Sequence, residues 1–371
     1  MEEKMENVGK TCTAKSLVKK YAKRWFIDAF SGMAQGLFVT LIAGTILSLI
    51  ASWIGENYVG KTLATIASIA KSLMGAGIGV GIAHALVKHK LLIFSAGVAG
   101  MIGAFADKLM IDAAPFTQLG WGVPGNPIGA YVVTLLVVEL VSLYAGKTKL
   151  DIILVPLGTM IIAFAGVFVA YPFIWLVGQL GNLIAIATEA TPFIMGIVIA
   201  VIMGVLLTMP TSSAAIWLSV AATVSDNPYI LLAGGAATVG CACHMVGFAV
   251  ASYRENGVGG LIAQGLGTSM LQIPNIMKKP VIMLPMIISS AICGPLSTCV
   301  FKLCCTAAGG GMGTSGLVGV FGIIDVTTMD FTGILGLVLC MFVLPIVLNL
   351  VISEFMRKKG WIKFGDMKLD V

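Results

Sequence analysis

The sequence predicts an all-α membrane protein with about ten transmembrane helices. Of the 371 residues, 58% are hydrophobic and only 11% are charged, whereas soluble domains carry about 25% charged residues. The apolar runs are continuous and rich in Leu, Ile, Ala and Gly, without the ~10-residue alternation of membrane-barrel strands. At about 20 apolar residues per spanning helix, the chain holds roughly ten spans. No large soluble domain fits beside them.

The first half of the chain contains five apolar runs. They follow a basic segment, residues 1–28, which we expect in the cytoplasm. This segment has no short apolar core ending in small residues, so no cleavable signal peptide is predicted. The predicted spans are about 29–53, 62–87, 91–106, 128–145 and 151–180.

The second half is interrupted more often by Pro, Gly and polar residues. We expect a transmembrane domain over 29–355, with halves at about 29–180 and 193–355. The basic tail 356–371 either lies on the membrane surface or is a plain basic anchor. The predicted spans are about 193–220 (broken at Pro210), 229–250, the re-entrant or short segment 258–276, 281–307, and 317–353 (broken by Asp325 and Asp330).

Basic clusters predict the orientation, because cytoplasmic loops carry an excess of Lys and Arg. With ten crossings these clusters fall on one side, together with the basic N-terminal segment. Both termini are therefore expected in the cytoplasm. The clusters are Lys88 and Lys90, Lys147 and Lys149, Lys278 and Lys279, and Arg357 to Lys359.

A weak internal repeat favours two inverted halves. Residues 81–90 (GIAHALVKHK) resemble residues 247–256 (GFAVASYREN), and each stretch precedes a Gly-rich apolar run. Five spans per half is an odd number, so the halves would be inverted, as in many transporters with broken helices. Chance similarity between Gly- and Ala-rich helices is the alternative.

The stretch TMPTSSAAI, residues 208–216, places a proline followed by the three hydroxyls of Thr211, Ser212 and Ser213 inside an apolar run. Pro210 removes a backbone donor and frees a carbonyl, and at membrane depth such groups must face protein or water. Thr211 or Ser212 can cap the helix that restarts there. The open N–H groups of that helix then offer donors to a polar ligand, with the Ser213 hydroxyl beside them.

Two later breaks carry the same residue types. Gln264 lies in QGLGTSMLQIPN, and Thr314 and Ser315 lie in AGGGMGTSGLV. Hydroxyls and amides both donate and accept hydrogen bonds, so they suit a neutral polyhydroxyl solute. Together the three breaks predict one solute path near the midplane. The alternative is that each hydroxyl bonds its own helix and each glycine lets helices touch.

Ionisable residues inside spans are candidates for function, because their burial in a bilayer is expensive. His244 shares the second half with the three breaks and is the best candidate for a solute contact. A structural histidine bonded to a backbone carbonyl is the alternative. Glu139 could pair with Lys71 and be only structural, and Glu189 lies in the polar stretch between the halves.

Several function classes are not favoured. The sequence has no GxxxxGK[ST] motif, so no self-powered pump is predicted. The eight cysteines lie mostly in apolar runs and lack the spacing of a zinc site. We expect no catalytic constellation, no metal, no cofactor and no nucleic-acid partner.

Three stretches together resemble a known family. TMPTSSAAI, GCACHMVGFAVASYRENGVGGLIAQGLGTSMLQIPN and GGGMGTSGLVG are similar to the membrane subunits (IIC) of the bacterial phosphotransferase system. The similarity is closest to its perfringolysin-regulator-like (PfoR-like) branch and covers about residues 25–355. The motifs are specific in combination and weak singly.

The resemblance implies a ten-span, inverted-repeat homodimer of the glucose-superfamily type in the lipid of the bacterial inner membrane. It implies a sugar that is carried inward and phosphorylated by separate IIA and IIB proteins, with phosphoenolpyruvate as the ultimate donor. In that superfamily a glutamate and a histidine contact the sugar, and Glu189 and His244 are the nearest by position. The family's Gly-Ile-Thr-Glu signature is absent, and only Thr188 and Glu189 match it.

The sequence therefore predicts a sugar-transporting IIC subunit without a phosphocarrier domain of its own. Two alternatives come from other classes: an ion-coupled secondary transporter with the same fold, and a membrane sensor that binds a ligand without transporting it. The predicted solute-binding residues are Thr211, Ser212, Ser213, Gln264, Thr314 and Ser315, with His244 and Glu189 beside them.

Overall fold

The structure is a computed structural model that describes residues 20–112, 126–209 and 213–369. All regular secondary structure in these ranges is helical. Pro210, Thr211 and Ser212 lie outside the described residues. The helices are α1 (Lys20–Ile54), α2 (Tyr58–Ser72), α3 (Met74–Leu86), α4 (Lys90–Ala104), α5 (Ala106–Asp112), α6 (Pro127–Val141), α7 (Asp151–Ala190), α8 (Pro192–Thr208), α9 (Ser213–Ala221), α10 (Pro228–Ala251), α11 (Tyr253–Ile262), α12 (Ile273–Lys278), α13 (Pro280–Val300), α14 (Val318–Val326) and α15 (Phe331–Lys358).

Among the described helices, α1, α7, α10, α13 and α15 are long and apolar enough to cross a membrane. Helices α2 and α3 form a sixth candidate, bent by 51°. Helices α4, α6 and α8 are apolar but have only 15, 15 and 17 residues. At 1.5 Å per residue they are about 22–26 Å long, below the ~30 Å of a hydrocarbon core. The helices support a membrane protein. Counting the three shorter helices as spans gives nine crossings among the described residues, so ten crossings stay a prediction.

The first half is held together by close contacts between small residues. A Cβ atom added at Gly32 of α1 would lie 2.4 Å from the carbonyl oxygen of Gly81 in α3. One added at Gly103 of α4 would lie 2.4 Å from that of Gly129 in α6. In lipid, helices associate through such packing, because lipid tails remove the hydrophobic driving force.

Glu139 of α6 pairs with the first turn of α1. Its Oε1 accepts hydrogen bonds from Arg24 Nε at 2.7 Å and from Trp25 Nε1 at 3.1 Å. Arg24 also donates to the carbonyl oxygen of Leu86 at 3.1 Å. The sequence had suggested Lys71 as the partner, but Arg24 occupies that role. Over the described residues α1 starts at Lys20, inside the basic segment predicted for residues 1–28.

The long helix α7 joins the two halves, because it packs against α4 and α6 on one side and against α10 on the other. Its 40 residues make it about 60 Å long. The sequence predicted that this span would end near residue 180, before a polar patch. The helix instead continues to Ala190, because isolated Gly, Gln and Asn residues do not break a helix. It ends at Thr191, which precedes Pro192 and leaves the helical region at φ −141°.

The second half surrounds α10, in which 19 of 24 residues are buried, against 10 of 40 in α7. Its middle consists largely of Gly, Ala and Cys, which lets α8, α13 and α15 approach closely. A Cβ atom added at Gly240 would lie 2.0 Å from the carbonyl oxygen of Ala200 in α8. α10 is thus the axis around which the other elements of this half are arranged.

Residues 359–369, here called the C-terminal strap, fold back onto the end of α10 and onto α11 and α12. The Glu255 side chain is 0% exposed and accepts hydrogen bonds from Arg357 Nη1 and from the Met367 backbone N–H, at 3.1 and 2.9 Å. Asn256 pairs with the strap backbone on both sides, donating to the Met367 carbonyl and accepting from the Leu369 N–H. The tail predicted at 356–371 is a folded part of the protein over its described residues.

Candidate functional site

Three interruptions of the helices meet beside α10. The first separates α8 from α9 and the second separates α11 from α12. The third is the largely non-helical stretch 301–317 between α13 and α14. α8 and the 301–317 stretch both begin beside the end of α10 near Pro228. α11 begins at the opposite end of α10, near Ala251.

Ser213 connects the first interruption to the third. Its hydroxyl, 3% exposed, donates to the carbonyl oxygen of Gly311 at 2.7 Å. Gly311 has a φ of +78°, which an L side chain adopts only with strain. The sequence-based alternative, in which each hydroxyl bonds its own helix, does not describe Ser213, because its partner lies in another element.

Thr314 and Ser315 connect the third interruption to the second. Thr314 Oγ1 donates to the carbonyl oxygen of Gly265 at 2.6 Å, and Ser315 Oγ donates to that of Gly267 at 2.9 Å. The second and third interruptions therefore contact each other directly. Gly313, with a φ of +55°, lets the third interruption also pack against α10, since a Cβ atom there would lie 2.8 Å from the Cys241 backbone.

Gln264 is fully buried in the second interruption. Its Nε2 donates to Ser252 Oγ at 2.9 Å and to the Gly260 carbonyl at 3.0 Å. Its Oε1 accepts from Gln272 Nε2 at 2.9 Å. Gln272 Nε2 also donates to the Met367 carbonyl of the C-terminal strap. An amide network thus runs from the strap to the tip of the second interruption.

His244 lies on α10 at 0% exposure. Its Nδ1 is 2.8 Å from Thr208 Oγ1, and that oxygen is 3.0 Å from Ser269 Oγ. His244 Nε2 has no hydrogen-bond partner among the described residues. It lies against Gly204, where a Cβ atom would be 2.9 Å away. The histidine therefore bonds a threonine and not a backbone carbonyl.

Two residues of this region were missed in the sequence. Thr208, the last residue of α8, joins α8, α10 and the second interruption through its hydroxyl. Trp217 of α9 is buried, and its Nε1 has no partner among the described atoms. Thr208 directly precedes the Met-Pro break, which could have drawn attention to it. Nothing in the sequence distinguished Trp217 from an ordinary apolar residue.

Glu189 lies apart from this cluster. It is an exposed residue near the C-terminal end of α7, beside Tyr229 at the start of α10. Tyr229 and His244 are 15 residues apart on α10, which corresponds to about 22 Å along the helix. The structure brings His244, Ser213, Gln264, Thr314 and Ser315 into one region and leaves Glu189 outside it.

The arrangement offers hydroxyls, amides, one imidazole and backbone carbonyls, and none of these groups carries a permanent charge. Such groups can exchange their present hydrogen bonds for bonds to a neutral polar solute. In the part of the chain that the structure describes, no group of three or more His, Cys, Asp or Glu residues could hold a metal ion.

Comparison with known proteins identifies one family. A family model described as "Phosphotransferase system, EIIC" matches residues 27–369, nearly the whole chain. No curated protein and no solved structure gives a significant match.

Proposed function

The chain belongs to the phosphotransferase system EIIC family, and from this premise we propose its solute, its binding residues and its assembly. The match covers both halves of the chain and supports a membrane-embedded IIC transport subunit. The family implies a sugar substrate and IIA and IIB partner proteins in general. The proposal concerns how this particular chain fulfils that role.

We take the solute to be a neutral sugar or sugar-like polyhydroxyl compound. The residues that meet beside α10 are hydroxyl- and amide-bearing, and a sugar offers matching donors and acceptors at every carbon. An anionic solute would instead favour Arg or Lys in the site. The basic residues nearest in sequence, Arg254 and Lys302, belong to the exposed ends of their elements.

The observation that carries this proposal is that the three interruptions contact one another beside α10. Non-helical backbone in a membrane is tolerated where it is buried in protein or lines a watery cavity. In transporters such interruptions coordinate the solute near the midplane. The bonds from Ser213, Thr314 and Ser315 join separate elements, so sliding one element past another would free these hydroxyls.

The proposed solute-binding residues follow from this. Ser213, Gln264, Thr314 and Ser315 would bond the sugar hydroxyls, and His244 would accept or donate a further bond through Nε2. Thr211 and Ser212 belong to the same break and stay in the proposal from the sequence alone. Glu189, at the far end of α10, would contact the sugar only at another stage of transport.

The finer assembly is also proposed. The family resemblance favours ten crossings, inverted halves and a homodimer, and the PfoR-like branch within the family. The apolar exposed face of α7 offers a surface for a second copy or for lipid, with Phe164 at 69% and Trp175 at 59% exposure. Basic clusters at Lys147, Lys279 and Arg357 favour a cytoplasmic location for both termini.

The test begins with a thermal-shift screen of the detergent-solubilised protein against sugars, sugar alcohols, sugar acids and nucleobases. A ligand of the folded state raises the melting temperature by mass action. Each hit is then offered to inverted membrane vesicles with soluble phosphocarrier proteins and phosphoenolpyruvate. We expect a sugar hit and a phosphorylated product, both lost in Thr314→Val.

The matched control is Thr65→Val, because Thr65 is exposed on α2 and its hydroxyl bonds only the Lys61 carbonyl of its own helix. A hit confined to nucleobases or other non-sugars would refute the sugar proposal. Uptake that is abolished by a protonophore and gives no phosphorylated product would favour ion-coupled transport.

A further inference from the structure

Thr208 is the one described hydroxyl that touches His244, and it joins three elements. It is the last residue of α8 and is 0% exposed. Its Oγ1 lies 2.8 Å from His244 Nδ1 on α10, 3.0 Å from Ser269 Oγ in the second interruption, and 3.1 Å from the Gly204 carbonyl oxygen. Loss of the Thr208 hydroxyl would therefore remove a direct hydrogen-bond partner of the histidine.

The hydrogen-bond partners of the Thr208 hydroxyl determine which nitrogen of His244 is protonated. The Gly204 carbonyl only accepts, so the single hydroxyl proton of Thr208 goes to it. The Thr208 oxygen then accepts from the Ser269 hydroxyl and from His244. His244 consequently carries its proton on Nδ1, and Nε2 is a bare acceptor.

The opposite tautomer satisfies fewer groups. The Thr208 proton would have to turn to His244 Nδ1, so the Gly204 carbonyl would lose this donor. His244 Nε2 would then carry an N–H with no acceptor among the described residues. Nε2 lacks a partner in both tautomers and bears a desolvation penalty in each, so the lost bond to the Gly204 carbonyl is the difference between them. The hydrogen-bond partners of Thr208 thus select the Nδ1–H form.

We propose that Thr208 is a positioning residue that holds His244 in the Nδ1–H tautomer, so that Nε2 is presented as an acceptor for a hydroxyl of the solute. Ser269 ties the same hydroxyl to the second interruption, so a movement of that segment changes the bonds of the histidine. Gly204 covers Nε2 in this structure, so a solute reaches it only after α8 and α10 separate locally. This rests on the proposed function for the identity of the solute, but the tautomer does not depend on any solute.

The experiment records nitrogen NMR spectra of the full chain in lipid nanodiscs with isotope-labelled histidine. The chain has only three histidines, and His244→Gln assigns the signals of interest. Nδ1 and Nε2 are distinguished by their couplings to the ring protons, and a protonated nitrogen by its shift. We expect a protonated Nδ1 and a bare Nε2 at His244.

Thr208→Val keeps the shape of the side chain and removes the hydroxyl, so the Nε2–H form should appear. Thr208→Ser should restore the original tautomer. Thr40→Val is the matched control, because Thr40 is 8% exposed and donates only to the Gly36 carbonyl within its own helix. That variant should leave the His244 signals unchanged.

The same variants are assayed for uptake of the sugar found in the thermal-shift screen. KM should rise about 2- to 10-fold in Thr208→Val, the range expected for one weakened hydrogen bond, and return in Thr208→Ser. A wild-type His244 protonated on Nε2, or an unchanged tautomer in Thr208→Val, overturns the role of Thr208. A changed tautomer with unchanged KM supports that role and instead refutes the contact between His244 and the sugar.

Discussion

His244 and Gly204 show how much a single residue contributes where two helices touch. The imidazole occupies the space that a Cβ atom at position 204 would fill, 2.5 Å from His244 Cδ2 and 2.8 Å from the Gly240 carbonyl oxygen. Backbone atoms cannot yield in the way that the end of a flexible side chain can. The glycine is therefore required by the neighbour across the interface and not by its own helix.

We predict that Gly204→Ala destabilises the protein by about 1–3 kcal/mol, the usual effect of overpacking a tight interior. The matched control is Gly259→Ala, where no atom lies within 4 Å of the added Cβ. That change should stabilise by up to about 1 kcal/mol, because Ala is the better helix former. Thermal unfolding in detergent measures both, and equal effects of the two variants would contradict the close contact between α8 and α10.

At the scale of elements, the C-terminal strap shows how polar side chains hold a segment that has no regular structure. The strap backbone is bound by Glu255, Asn256, Gln272 and Asn275. Each amide satisfies a backbone group that would otherwise be left without a partner near the membrane. Lys279 adds an ion pair to Asp366, with Nζ and Oδ2 2.6 Å apart.

This ion pair makes the strap sensitive to acid. Partial burial acts to raise the pKa of Asp366, but hydrogen bonds from the Lys279 ammonium and the Lys363 backbone N–H, together with the charges of both lysines, outweigh it and lower the pKa below its usual 3.8. A group with a lowered pKa in the folded state stabilises above its unfolded pKa, and this contribution disappears as the pH falls through the folded value. The strap should therefore loosen in acid below about pH 4.

We predict that Asp366→Asn weakens the strap by about 1 kcal/mol near neutral pH, or roughly fivefold in amide protection. As the pH falls from about 4 through the lowered pKa of Asp366, the variant and the wild type should converge. Hydrogen exchange of residues 359–369, corrected for the intrinsic pH dependence, makes the comparison. A difference between the two proteins that persists at low pH would show that the ion pair is not its source.

At the scale of the whole molecule, the second half is organised around one buried helix with two distinct ends. The strap covers the end of α10 near Ala251, and the chain between α9 and α10 lies at the other end, near Pro228. With 24 residues, α10 is about 36 Å long, enough to cross a ~30 Å hydrocarbon core. These two ends should face opposite sides of the membrane.

We predict that a fluorescent protein fused after the C-terminus is bright, as expected for a cytoplasmic location. Alkaline phosphatase inserted after Asp226 should be active, since it folds only outside the cytoplasm. The reciprocal fusions, with the two reporters exchanged, serve as controls and should both be silent. Both positions reporting the same side would contradict the crossing of α10.

Much of the architecture was predictable because it depends on local chemistry. The apolar composition specified a helical membrane protein, and the end of α8 just before the Met-Pro sequence was predicted from proline, which restricts the residue before it. The break between Asp325 and Asp330 was also predicted, and Asp330 caps α15 there by accepting from the Gly333 N–H at 2.7 Å. The predicted end of α7 near residue 180 was wrong, because polarity alone does not end a helix.

By itself, the sequence determined the membrane class, the positions of the main helix breaks and the similarity to the phosphotransferase IIC family. Only the tertiary structure decided that Arg24 pairs with Glu139, that Thr208 bonds His244, and that Thr314 reaches Gly265. These partners are separated by 115, 36 and 49 residues. The physical reason is that helix propensity and helix capping depend on residues within one or two turns. A binding site instead depends on contacts between distant residues, and the packing of the helices determines which residues these are.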